Sequence, residues 1–155
     1  MKLRRLAIIP DGNRRFAARN SLGVRKAYAR GFQKVEELLK WTEGTGIEEV
    51  SFWALSLENY TKRSRAELKV LFSLISHNLD KALEDGEYAR KGIRVKFFGK
   101  LELLPKDLRE KIGRLEEKTS GGNRILSVGV AYSGREELLN AAKRIAIDFG
   151  GRDAS

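Results

Sequence analysis

The 155-residue chain contains no cysteine and a single histidine, His77. Without thiols there are no disulfides and no thiolate metal sites, and a reducing, cytoplasmic setting is expected. One imidazole argues against a histidine-ligated metal centre or a Ser–His–Asp triad. Proline is scarce too, Pro10 and Pro105 being the two present, and no linker or low-complexity stretch divides the sequence. Long apolar runs are absent. The start MKLRRLAIIP is basic and then apolar, but Pro10 and Asp11 end it short of signal-peptide length. No stretch approaches the roughly 20 apolar residues of a membrane span.

What is present is charge. Thirty-one Lys and Arg stand against 21 Asp and Glu, a formal net charge of +10, with the two signs interspersed rather than in blocks. That pattern suits a solvated surface with local anion sites better than a nucleic-acid track. A basic RNA-binding domain would also interleave aromatic residues with the charge, which this chain does not do. The expected partners are therefore phosphorylated small molecules, with peripheral contact to an anionic membrane surface compatible with the charge, and no nucleic acid. At 41% hydrophobic residues, residues 1–155 suffice for one domain with a real core.

Hydrophobic periodicity alternates along the chain. Leu6 to Ile9 suits a short buried strand, stopped by Pro10, Asp11 and Gly12 before a helix begins at once. A helical pattern from Tyr28 to Glu43 puts Phe32, Val35, Leu38, Leu39 and Trp41 on or near one face and closes at Gly44 and Gly46. Glu49 to Leu57 reads as a buried strand. Arg65 to about Arg90 reads as one long helix, with Leu68, Leu71, Leu74, Ile75, Leu79 and Leu83 at helical spacing. A strand over Ile93 to Phe98 follows, and then a helix over Lys106 to Lys118 with Pro105 at its N1 position. A strand over Ile125 to Tyr132 and a helix over Arg135 to Phe149 complete the order. This predicts an α/β fold: a mainly parallel open β-sheet with helices on both faces and ligands at the carboxyl ends of the strands.

Two polar segments fall at those ends. After the first strand, Asn13, Arg14 and Arg15 open a helix, so free backbone N–H groups, the positive helix end and two guanidinium groups share one turn suited to a phosphate-bearing substrate. Asp11 has the wrong sign for an anion site unless a cation such as Mg²⁺ bridges it to the phosphate. Read as an isolated tripeptide, Asp11 would cap the helix and Gly12 would make a turn. After the second strand, WALSLENYTKRS offers Ser56, Glu58, Asn59 and Tyr60 as hydrogen-bonding groups and Lys62, Arg63 and Arg65 as charge for a second diphosphate. Its plainer reading is a polar loop entering a helix, with Ser64 as N-cap and Glu67 as capping-box partner. A third segment, Tyr132-Ser133-Gly134-Arg135-Glu136-Glu137, lies after the last strand.

Taken together, these segments resemble the cis-prenyltransferases, the family of undecaprenyl diphosphate synthase and dehydrodolichyl diphosphate synthase. IIPDGNRRFA is similar to the family's (M/P)DGNxRxA signature, FWALSLENY to YAFSxENW/F, and AYSGREEL to YGGRxEI, so the likeness runs over nearly the whole chain. The resemblance implies an undecaprenyl diphosphate synthase-like fold and condensation of isopentenyl diphosphate onto an allylic prenyl diphosphate with a new cis double bond. It further implies that Asp11 holds the Mg²⁺–diphosphate unit, that Gly12, Asn13, Arg14 and Arg15 cradle the allylic diphosphate, and that Phe16 is a neighbouring substrate wall. Ser56, Leu57, Glu58 and Tyr60 would border the second site, and Asn59 is the position associated with proton removal. The apolar product would lie between helices near Gly31 to Glu43 and Arg65 to Arg90, over the strand carrying Phe52 and Ala54.

Departures from the family pattern matter. Tyr28 stands where many members have a histidine, and Val24, with Arg25 beside it, where an arginine is usual. The arginine expected after the aromatic residue falls on Lys62 without a gap or on Arg63 with one inserted residue, and both stay open. The family's C-terminal TGG loop, R-x-S-x-F motif and late WP are absent from this sequence. The expectation is therefore a single cis-prenyltransferase-like domain lacking that segment, which forms a homo-oligomer or is completed by a partner subunit. The alternative is a non-catalytic prenyl-diphosphate-binding or scaffold subunit.

Overall fold

The computed structural model describes residues 3–150; Met1, Lys2 and residues 151–155 lie outside the described residues. Four strands form one sheet: β1 (Arg5–Ile8), β2 (Glu49–Ser56), β3 (Ile93–Phe98) and β4 (Arg124–Tyr132). Their order is β1-β2-β4-β3, and each neighbouring pair is parallel. The central strand β4 is buried continuously from Leu126 to Ala131, as a strand covered on both faces must be.

Flanking helices are α1 (Asn13–Arg19), α2 (Val24–Trp41), α3 (Leu57–Lys62), α4 (Arg65–Asp85), α5 (Glu87–Arg90), α6 (Lys106–Lys118) and α7 (Gly134–Gly150). The core joins Val50, Phe52 and Leu55 of β2 and Val128 and Val130 of β4 to Leu71, Leu74, Ile75 and Leu79 of α4. Leu108, Ile112 and Leu115 of α6 close it beside β3. Among the described residues no helix is long and apolar enough to cross a membrane.

Five expectations need correction. The first strand is not buried: it pairs with β2 alone, Ala7 is exposed, and Ile9 beyond its end is 75% exposed. Trp41, counted on the apolar face of α2, is 68% exposed in the helix's last turn. Leu57 opens α3 rather than ending β2. The long helix breaks at Gly86, whose left-handed φ of 59° ends α4 one residue before α5 begins. Pro105 caps α6 from outside instead of occupying its first turn.

The carboxyl ends of β2 and β4 are irregular. Their register shifts between Trp53 and Leu55 and again between Leu55 and Ser56. Fully buried Ala131 sits opposite this stretch at φ 50°, a conformation uncommon outside glycine.

Candidate functional site

The turn after β1 depends on Gly12, whose φ of 101° is open to glycine without steric cost. No side chain caps α1. Asp11, expected as a cap on the plain reading, turns its carboxylate to Arg15, with Oδ2 2.6 Å from a guanidinium nitrogen and both side chains exposed. Such a pair contributes under about 1 kcal/mol, so both groups can re-engage with a ligand at little cost. α1 has seven residues, too few for a large summed dipole, so the exposed Arg14 and Arg15 supply most of the positive potential. Phe16 lies at the rim under the Arg30 guanidinium, 5.5 Å from its ring centroid.

The turn after β2 works differently. Ser56 does cap α3, its Oγ accepting the Asn59 N–H at 3.1 Å. Three- and four-residue spacing then puts Ser56, Asn59 and Arg63 on one side of the chain. Glu58 and Lys62 pair with each other at 2.6 Å on the exposed side, and that contact holds the Glu58 carboxyl below its ordinary value. Tyr60 is turned away, donating its hydroxyl to the Leu103 carbonyl at 3.2 Å with its ring 6.5 Å from Phe72.

Arg63 is the unusual group. Its side chain is 13% exposed, its Cζ lies 5.4 Å from the Tyr28 ring centroid, and its Nε and NH1 are buried without a hydrogen-bond partner. Glu67 Oε1 approaches Nε to 3.4 Å, an ion pair without hydrogen-bond geometry. The same carboxylate accepts the Tyr28 hydroxyl at 2.6 Å. Burial, and next that hydrogen bond, push Tyr28 up to about 12. Ser64 caps α4 through the Glu67 N–H at 3.2 Å, but Glu67 spends its carboxylate on Tyr28 and Arg63 instead of closing the capping box.

These groups converge on a cavity of about 340 Å³ lined by Pro10, Asp11, Asn13, Tyr28, Ser56, Asn59 and Arg63, with Trp53 and Tyr132 on its wall. Gly31 permits the approach of α2: a Cβ there would stand 3.0 Å from Asn13 Oδ1. Phe32, Phe52 and Ala54 belong both to this cavity and to a second, about 220 Å³, whose walls include Val35, Leu39, Ile75, Leu79, Val95 and Val128. The far rim of the second is charged, with Lys81–Glu36 at 3.3 Å joining α4 to α2 and Lys91–Glu43 at 3.1 Å joining the segment after α5 to the turn after α2. A polar, cation-bearing chamber thus adjoins an apolar one at the carboxyl ends of the strands.

Of the residues singled out in the sequence, Asp11, Asn13, Tyr28, Ser56, Asn59 and Arg63 are brought together. Gly12, Arg14, Arg15 and Phe16 stand beside the cavity on the α1 turn without lining it, and Leu57, Glu58, Tyr60 and Lys62 are not in its wall because α3 points them elsewhere. Between the two cationic candidates, the cavity holds Arg63, while Lys62 is 72% exposed on Glu58. Glu67, Trp53 and Gly31 were missed as site residues. Glu67 carried one legible signal, its capping-box spacing, which pointed to a different task.

Comparison with known proteins decides the family. The undecaprenyl diphosphate synthase (Prenyltransf) family model matches residues 9–154. The chain belongs to that family. It is 37% identical over 145 residues to the tritrans,polycis-undecaprenyl-diphosphate synthase (geranylgeranyl-diphosphate specific) of Sulfurisphaera tokodaii, covering 93% of this chain and 55% of that protein. The enzyme of the same name from Archaeoglobus fulgidus is 41% identical over 141 residues, 90% of this chain and 56% of its own length. The human dehydrodolichyl diphosphate synthase complex subunit DHDDS is 36% identical over 91% of this chain and 43% of its own. Among solved structures, lavandulyl diphosphate synthase from Lavandula x intermedia, in complex with dimethylallyl diphosphate, superposes with a TM-score of 0.86 at 25% identity, over 97% of this chain and 64% of that one. The chain therefore spans about half the length of the curated relatives it matches.

Proposed function

We propose that this chain is the allylic-diphosphate-binding portion of a cis-prenyl diphosphate synthase, which joins isopentenyl diphosphate to an allylic prenyl diphosphate. The observation that carries the reading is the joined pair of chambers: Asp11, Asn13, Ser56, Asn59 and Arg63 in one, and an apolar cavity reached past Phe32, Phe52 and Ala54 in the other. A diphosphate suits the first and a hydrocarbon chain the second.

The allylic C–O bond breaks with its electron pair leaving on the diphosphate, the terminal alkene carbon of isopentenyl diphosphate bonds to the allylic carbon, and the proton lost as the new double bond forms passes to the released diphosphate. No covalent nucleophile is needed. The arginines and backbone N–H groups of the α1 turn, together with Arg63, stabilise the departing oxygens. The Asn59 side-chain amide, one turn from the capping Ser56, orients the group that loses the proton. The apolar chamber keeps water from the cationic carbon.

Among the described residues no group of three or more His, Cys, Asp or Glu stands together as a ready metal site. Asp11 is the one carboxylate lining the polar cavity, and its exposed side chain is loosely held. That fits Mg²⁺ arriving with a diphosphate, which keeps several waters and takes one or two carboxylates. Bound there, Mg²⁺ would neutralise the leaving group's charge.

The test supplies labelled isopentenyl diphosphate, an allylic diphosphate and Mg²⁺ to the protein, alone and with any subunit that co-purifies with it. Apolar prenyl products are expected from at least one of these forms. Binding of the allylic diphosphate without product from any form would favour a non-catalytic subunit instead, and absence of both would overturn the reading.

A further inference from the structure

We propose that Tyr28 is a positioning residue that, by occupying the Glu67 carboxylate, keeps the Nε and NH1 donors of Arg63 free for a diphosphate. The inference rests on the diphosphate reading of the polar cavity.

Three observations meet here. Glu67 has two competing donors, and the Tyr28 hydroxyl holds it at 2.6 Å while Arg63 Nε stands off at 3.4 Å. An arginine free to pair with a carboxylate closes to about 2.7–2.9 Å. The guanidinium is nonetheless confined, 13% exposed and lying over the Tyr28 ring. Its Nε and NH1 are buried and unpartnered, and the residue itself lines the polar cavity. A buried donor without a partner is costly, and such an arrangement persists where a ligand completes it. Tyr28 itself is 4% exposed with its hydroxyl engaged, so its influence on a bound anion passes through Glu67.

The consequence is a specific pattern of coupling. In Tyr28→Phe the carboxylate loses its short donor and moves onto Arg63, spending the donors that a diphosphate would use. Inorganic pyrophosphate affinity should fall by roughly tenfold, the worth of one charge-assisted hydrogen bond. In Glu67→Gln the competing charge is gone, so affinity should equal or exceed that of wild type. Adding Tyr28→Phe to Glu67→Gln should then change nothing further.

The experiment titrates pyrophosphate into wild type, both single variants and the double variant by calorimetry, with thermal melts confirming that each folds. Repeating it with isopentenyl diphosphate and with an allylic diphosphate shows which substrate's diphosphate Arg63 meets, because the tenfold loss follows that one. A Tyr28→Phe affinity within about twofold of wild type overturns the proposal. So does a loss that persists in the Glu67→Gln background, since that is what a merely structural role produces. If wild type binds none of the three, the diphosphate reading falls and this inference falls with it.

Discussion

Ala54 occupies the neck between the two chambers, lining both together with Phe32 and Phe52. Replacing it with leucine adds three carbons at that neck. The diphosphate groups, gathered around Asp11, Asn13 and Arg63, should not sense the change. A hydrocarbon tail that must pass the neck should. Burying apolar carbon stabilises by about 0.8 kcal/mol per methylene, so excluding one five-carbon unit from the inner cavity forfeits about 3–4 kcal/mol. That corresponds to a loss of at least about a hundredfold in affinity for a long prenyl diphosphate. Inner-chamber space of about 220 Å³ adjoins the position, so the added carbons can be received without a large repacking penalty. The assay compares pyrophosphate with an unreactive prenyl thiolodiphosphate by calorimetry, alongside the length of any prenyl products formed. Ala54→Leu should leave the first unchanged, weaken the second at least about a hundredfold and shorten products. An equal effect on both ligands, or none on the prenyl compound, would refute the claim that the tail runs past Ala54 into the inner chamber.

On the proposed function, Asp11→Ala should remove most Mg²⁺-dependent turnover while moving the thermal midpoint little, because the lost ion pair is exposed and worth under about 1 kcal/mol. Near-normal product formation by that variant discards the metal-bridging role. Arg15→Ala should raise KM for the allylic substrate, whereas Asn59→Ala should chiefly lower kcat, and identical defects in steady-state kinetics would erase the division of labour. Tyr28 and Tyr88 are held up at about 12, both chiefly by burial. A raised value means that their stabilisation is complete below pH 10 and is lost as pH climbs toward 12, so denaturation midpoints should fall across that interval, and less steeply in Tyr88→Phe. Finally, Leu138, Leu139, Ile145 and Ile147 on α7 are 74, 53, 59 and 75% exposed. Residues 1–155 should therefore self-associate in sedimentation experiments, and Leu138→Lys with Ile145→Lys should weaken that association by at least tenfold. A wild-type sample that sediments as a monomer at all concentrations would contradict this.

The sheet was legible because its signals are local. Ile93 to Phe98 alternates in the sequence and forms β3 without adjustment, and the apolar spacing of Leu71, Leu74, Ile75 and Leu79 directs α4 into the core. The misreadings have two causes, a neighbour that sequence does not name and two local signals in conflict. Leu6 to Ile9 has the composition of a buried strand, but burial belongs to its place in the order β1-β2-β4-β3, at an edge. Gly86 has the residue type of a helix stop inside a continuing apolar pattern, and its left-handed φ decided in favour of the stop.

The site divides along the same line. Asp11, Asn13, Ser56 and Asn59 were found because strand ends gather ligands and the motifs stand at two of those ends. Arg63 could not be told from Lys62 by alignment of spacing, since one residue of insertion exchanges them; the turn of α3 separates them, sending one into the cavity and the other to Glu58. Glu67 illustrates the limit most clearly. Its spacing from Ser64 forecast a cap, and the backbone half of that cap is present. Its carboxylate was claimed by Tyr28, 39 residues earlier on another helix, and by Arg63. Local spacing fixes where a backbone N–H points, whereas a charged side chain in a closed space follows the strongest partners that tertiary packing delivers. For that reason the chemistry of this site resides less in its sequence motifs than in the crossing of α2 over α4.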